Sequence, residues 1–105
     1  MSLDVTVIVQ RDILCPHCGK VAGGETVAEE YSGGRVWYPI LEKLGYYVED
    51  GVSEWYGKDM VLTDAQAKMV YEFVKTNPVY CGEVILRMIA TAQMDGNKVV
   101  INADW

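Results

Sequence analysis

The sequence predicts an α+β fold: a small antiparallel sheet, made of an N-terminal hairpin plus a C-terminal strand, packed with about three helices. Residues 4–10 alternate, with Val5, Val7 and Val9 on one side and Asp4, Thr6, Ile8 and Gln10 on the other, which is the period of a half-buried strand. Residues 25–31 alternate more weakly and read as a strand returning antiparallel to the first. Further on, apolar side chains recur at helical spacing in consecutive segments. Adjacent antiparallel strands with helices segregated from them indicate α+β rather than alternating α/β.

The chain has 105 residues, half of them apolar. That suits one domain, residues 1–105, with a sizeable core. No apolar run approaches the length of a membrane span, and no charged-then-apolar leader opens the chain, so the expectation is a cytoplasmic protein without membrane attachment. The net charge is -6. Lys58, Lys68, Lys75, Arg87 and Lys98 are scattered, which argues against nucleic-acid binding, where clustered cations are needed.

Between the two N-terminal strands, residues 15–24 read as a turn, punctuated by Pro16, Gly19, Gly23 and Gly24. Ser32-Gly33-Gly34 ends the second strand. Trp37, Ile40, Leu41 and Leu44 then follow the stripe of a core-facing helix. Pro39 is tolerated only in a first turn, so this helix is short and starts near Tyr38; Gly45 suits its left-handed end. Residues 46–62 are irregular. Their aromatics Tyr46, Tyr47, Trp55 and Tyr56 lie among Glu49, Asp50, Glu54 and Asp59, and Asp50-Gly51 and Gly57-Lys58 look like turns. Either this is an acidic, aromatic recognition loop, with Trp55 and Tyr56 as its contact residues, or it is a loop pinned to the core by its rings.

Thr63-Asp64-Ala65-Gln66 has the form of a capping box. Ala67, Val70 and Val74 make the stripe of the helix it opens, and Asn77-Pro78 ends it. Another helix is predicted from Pro78 or Val79 to about Met94. Its apolar face is Cys81, Val84, Ile85, Met88 and Ala92, widened by Leu86 and Ile89, which makes it central and largely buried. Asp95-Gly96-Asn97-Lys98 turns the chain into a last strand at residues 99–101.

Reactive side chains concentrate in Cys15-Pro16-His17-Cys18, which holds two of three cysteines and the one histidine. One reading is a zinc knuckle. Two thiolates at this spacing reach one ion, but zinc takes four ligands in a tetrahedron. Cys81 is the candidate third ligand, since a helix N-terminus favours a thiolate. The fourth must be water, a carboxylate or a group from a second subunit. A second reading is a thiol–disulfide redox pair of Cys15 and Cys18, in which His17 and a helix N-terminus depress the Cys15 pKa and make it the attacking thiolate. Against it, Gly23-Gly24 interrupts the long helix such a motif needs. A third reading leaves all three cysteines reduced and metal-free, with Cys81 a small core residue.

A strand running into Cys15-Pro16-His17-Cys18-Gly19, a second strand, then Pro39-Ile40-Leu41-Glu42-Lys43-Leu44-Gly45, resembles small phage- and prophage-encoded proteins with a single CPxCG knuckle. In those a short proline-bearing helix is followed by two longer helices. The polar Asn/Thr/His cluster that they carry before the proline is here Ser32-Gly33-Gly34-Arg35-Val36-Trp37-Tyr38, with none of those residues. The resemblance implies a phage setting and no reaction.

The leading expectation is a non-enzymatic, phage-derived α+β protein with a partial zinc site and an interaction role, through an unidentified protein partner or self-association. An enzyme reading competes, in which Glu49, Asp50, Glu54 and Asp59 supply acid/base groups beside His17. A pocket converging those carboxylates on His17 would support it.

Overall fold

The computed structural model describes residues 3–48 and 53–105. Glu49, Asp50 and the Asp50-Gly51 turn lie outside the described residues. The chain forms an α+β fold with four strands and three α-helices among those described: β1 (Asp4–Leu14), β2 (Val21–Gly33), a 3₁₀ turn (Arg35–Trp37), α1 (Tyr38–Lys43), β3 (Asp59–Val61), α2 (Asp64–Thr76), α3 (Gly82–Asp95) and β4 (Lys98–Asp104). The sheet is antiparallel throughout, in the order β2-β1-β4-β3.

The alternation of β1 decides which face is covered. Val5, Val7 and Val9 are buried and stand opposite Ala103, Ile101 and Val99 of β4. Helical side chains close this face: Trp37, Ile40, Leu41 and Leu44 around α1, Ala67, Val70 and Val74 from α2, and Ile85, Ile89 and Ala92 from α3. The other face presents Thr6, Ile8, Val100 and Asn102. Val100 is fully buried there between its cross-strand neighbours Ile8 and Val61.

The short helix starts at Tyr38 with proline in its first turn, and Gly45 takes a φ of 75° at its end. The capping box forms as the sequence requires. Thr63 Oγ1 accepts the Gln66 N–H at 3.1 Å, and Gln66 Oε1 accepts the Thr63 N–H at 3.0 Å. Tyr46, fully buried, ties the following loop to the end of β4. Its hydroxyl accepts the Ala103 N–H at 2.7 Å and donates to the Lys58 carbonyl at 2.6 Å.

Several boundaries differ from those the sequence suggests. The turn between β1 and β2 is shorter than residues 15–24, because Gly23 and Gly24 pair in register with Ile13 and Asp12. Ser32 and Gly33 belong to β2 rather than breaking it. β3 lies inside the stretch read as irregular, held by pairing with β4 over Asp59 to Val61. Helix α3 begins at Gly82 instead of Pro78 or Val79, because Cys81 is left-handed with φ 58° and stops the helix from extending backwards. That helix is also less enclosed than its sequence implies: Ile85, Ile89 and Ala92 are buried, while Val84 is exposed.

Strands β1 and β2 outrun the rest of the sheet. β4 accompanies β1 only from Asp4 to Gln10, so the pair continues alone as a two-stranded ribbon. This gives the molecule its extents of 47 × 29 × 21 Å. An Arg11–Glu25 ion pair staples the ribbon across its width, and Lys98 holds Asp12 at 3.0 Å at its root. Register shifts between Val9 and Gln10 and between Ile13 and Leu14 are bulges, which raise local twist and re-aim the ribbon.

Candidate metal and thiol site

Cys15-Pro16-His17-Cys18 forms the turn at the free end of that ribbon. The turn closes on two backbone bonds: the Gly19 N–H donates to the Cys15 carbonyl at 2.9 Å, and the Cys15 N–H donates to the Lys20 carbonyl at 2.7 Å. Gly19 has φ 71°, a conformation that glycine adopts without a Cβ penalty. Within the turn, the backbone N–H groups of His17 and then of Cys18 point at the Cys15 sulfur. Together with the Cys18 side chain they hold the Cys15 thiol below its ordinary pKa of 9.0, against a small opposing effect of burial. Donors aimed at a sulfur stabilise its thiolate, the form that binds metals and attacks disulfides. Cys18 is exposed, as is His17.

Cys81 is elsewhere. It sits in the corner between α2 and α3, beside Glu30 of β2, and Glu30 stands opposite Val7. At roughly 3.3 Å per residue, the strand from Val7 to Cys15 spans about 25 Å. The structure therefore does not bring Cys81 beside the tip cysteines, where the sequence suggested a third ligand. Its thiol is also the wrong kind. Burial first, and then the hydrogen bond and charge of Glu30, push it above 9.0, with the Tyr80 side chain opposing. The helix N-terminus does not compensate, since Cys81 is the left-handed residue before the helix and makes no capping bond with its side chain.

Among the described residues, no three of His, Cys, Asp and Glu converge on one point. The described acidic side chains of the loop, Glu54 and Asp59, lie far from the tip. Asp59 is on β3, at the opposite edge of the sheet from β2, where its Oδ1 accepts the Asn102 amide N–H at 2.8 Å. Asn102 stands across from Thr6, near the other end of β1 from His17. Glu54 lines a shallow hollow with Trp55 and Lys58. Glu54 and Asp59 thus do not join His17 in one pocket.

Trp55 and Tyr56 belong to an aromatic cluster around Trp105. Trp55 stacks on Tyr46 with ring centroids 6.3 Å apart. Tyr56 meets Trp105 edge-on at 4.8 Å, and its hydroxyl donates to the Trp105 carbonyl at 3.0 Å. Tyr47 also approaches Trp105 edge-on, at 5.1 Å. These rings pin the loop to the C-terminal end of β4, although Tyr56 keeps 48% of its surface exposed.

No helix among the described residues is long and apolar enough to cross a membrane. Comparison of the chain with protein families, with curated proteins and with solved structures returned no match.

Proposed function

We infer that this is a non-enzymatic interaction protein of phage derivation whose ribbon tip is half of a zinc site. Cys15 and Cys18 supply two thiolates, and the same two residues of a second copy complete the tetrahedron. The observation that carries this reading is the turn itself. Two backbone N–H groups are aimed at the Cys15 sulfur, at the end of a ribbon that stands clear of the body and of Cys81. Zinc needs four ligands, and half-sites on separate chains link metal binding to assembly. A projecting tip can meet its symmetry mate without collision between the two bodies.

Elemental analysis and light scattering of protein purified without chelator test it. The expected result is a dimer with one zinc per two chains, dissociated by chelator, abolished by Cys18→Ser and retained by Cys81→Ser. One zinc per chain with no change of mass on chelation, or a zinc-free protein, overturns the shared site.

The redox alternative for Cys15-Pro16-His17-Cys18 draws on the same depressed Cys15 thiol and the exposed Cys18 beside it. A dithiol-exchange assay decides it: turnover above that of free dithiol favours the redox pair over the metal site.

A further inference from the structure

The sheet has two edges of very different character. β3, at one edge, is three residues long, and a short edge strand offers little to pair with. β2, at the other, runs for 13 residues. Its one strand neighbour is β1, and among the described residues no backbone group outside β1 bonds to its main chain, although Tyr80 covers Tyr31 and Ser32 at its C-terminal end. Folded proteins usually blunt so long an edge with proline, lysine or a covering element. β2 contains neither proline, lysine nor arginine. Its only interruption within the central part is the bulge at Val27.

An apolar groove lies against this edge. It has a volume of about 350 Å3 and runs between β2 and α3, floored and walled by Val9, Val27, Ala28, Val84, Met88 and Ala92. Val27 is 50% and Val84 38% exposed, so the groove opens outward. An unpaired strand edge beside a helix-walled apolar groove is the arrangement in which an added strand gains backbone hydrogen bonds and seats alternate side chains.

Charge selects the occupant. The only charged side chains of β2 are Glu25, Glu29 and Glu30. Glu25 is paired with Arg11 and Glu30 is hydrogen-bonded to the Cys81 thiol, whereas the exposed Glu29 makes no ion pair among the described residues. The groove's own lining carries one charge of each sign, Arg87 and Asp95. A second copy of β2 would set glutamates against glutamates, and like charges facing across strands destabilise pairing. We propose that the β2 edge and the groove beside α3 bind an extended protein segment carrying basic and apolar side chains, added to the sheet as a fifth strand. A basic group answers Glu29, and an apolar side chain enters between Val27 and Val84.

The test titrates isotope-labelled protein with a short alternating Lys-Val peptide, followed by backbone amide resonances. Shifts and slowed exchange are expected along β2 and on the groove side of α3. The same peptide with alternate backbone nitrogens methylated cannot pair with an edge and is expected not to bind. Glu29→Lys with Val84→Lys, both at exposed positions, is expected to weaken binding about tenfold while the protein stays folded. Equal binding of the methylated peptide, equal binding of an alternating Glu-Val peptide, or shifts confined to the open face of the sheet around Ile8 would each overturn the proposal. In the presence of chelator, which dissociates a tip-linked dimer, concentration-dependent changes between Thr26 and Tyr31 without peptide would assign the edge to a second copy and overturn it as well.

Discussion

Ser32 Oγ accepts the indole N–H of Trp37 at 3.0 Å, and both residues are completely buried. The same hydroxyl donates to the Tyr80 carbonyl at 2.7 Å. One small side chain thus joins β2, the 3₁₀ turn and the corner before α3. Ser32→Ala leaves the buried Trp37 N–H without a partner, which costs about 1–3 kcal/mol. Urea unfolding monitored by Trp fluorescence measures it, and a loss within experimental error would show that water replaces the hydroxyl.

Ile85 lies fully buried at the N-terminal end of the α3 stripe. Ile85→Ala is expected to cost about 2–5 kcal/mol, the sum of lost transfer energy and an incompletely collapsed cavity. Val84→Ala, one residue earlier on the open groove, serves as the comparison and is expected to cost well under half as much. Similar losses at the two positions would contradict the burial described for α3.

Tyr46 provides a pH dependence whose sign is determined. Burial raises its pKa above 10.0, the bonds to Ala103 and Lys58 acting in the opposite direction and the charges of Asp59 and Asp104 in the same one. Above the unfolded value near 10, the unfolded chain loses this proton more readily than the folded one, so stability falls as pH rises. The contribution is complete below that value and is lost between the unfolded and folded pKa values. Thermal unfolding across the alkaline range is expected to show this decline, flattened in Tyr46→Phe. A variant with the same slope as the parent would assign the decline to other tyrosines.

Alkylation separates the two kinds of thiol. Near neutral pH, Cys15 is expected to react with iodoacetamide well before Cys81, because backbone donors favour its thiolate while burial and Glu30 disfavour that of Cys81. Mass spectrometry of quenched samples gives the order. Faster modification of Cys81 would show that the Cys15 sulfur is not held by the N–H groups of its turn.

The sequence already revealed the elements whose signals are local. The Val5, Val7, Val9 alternation names the covered face of β1, and Thr63 with Gln66 names the start of α2, because a cap and a period act within a few residues. Features held by long-range pairing were not legible. Gly23 and Gly24 look like breakers, but glycines can pair in a strand when a partner such as Ile13 or Asp12 lies beside them. β3 is too short to show a period and exists because β4 offers it an edge. For the site, the tip cysteines were visible as a spacing, whereas the separation of Cys81 required knowing how far the ribbon extends. The left-handed Cys81 was equally hidden. Gly82 follows it, and a Cβ there would stand 3.3 Å from the Val79 side chain, so the corner between α2 and α3 is tightly packed.

None of the core side chains lies beyond Val9 on β1 or before Ala28 on β2. The tip is therefore chemically autonomous: residues 11–25 can be exchanged with little effect on what keeps the body folded. Transplanted onto another hairpin of matching twist, the Cys15-to-Lys20 turn would take its thiol chemistry with it. The body left behind would unfold as before, an antenna mount without its antenna.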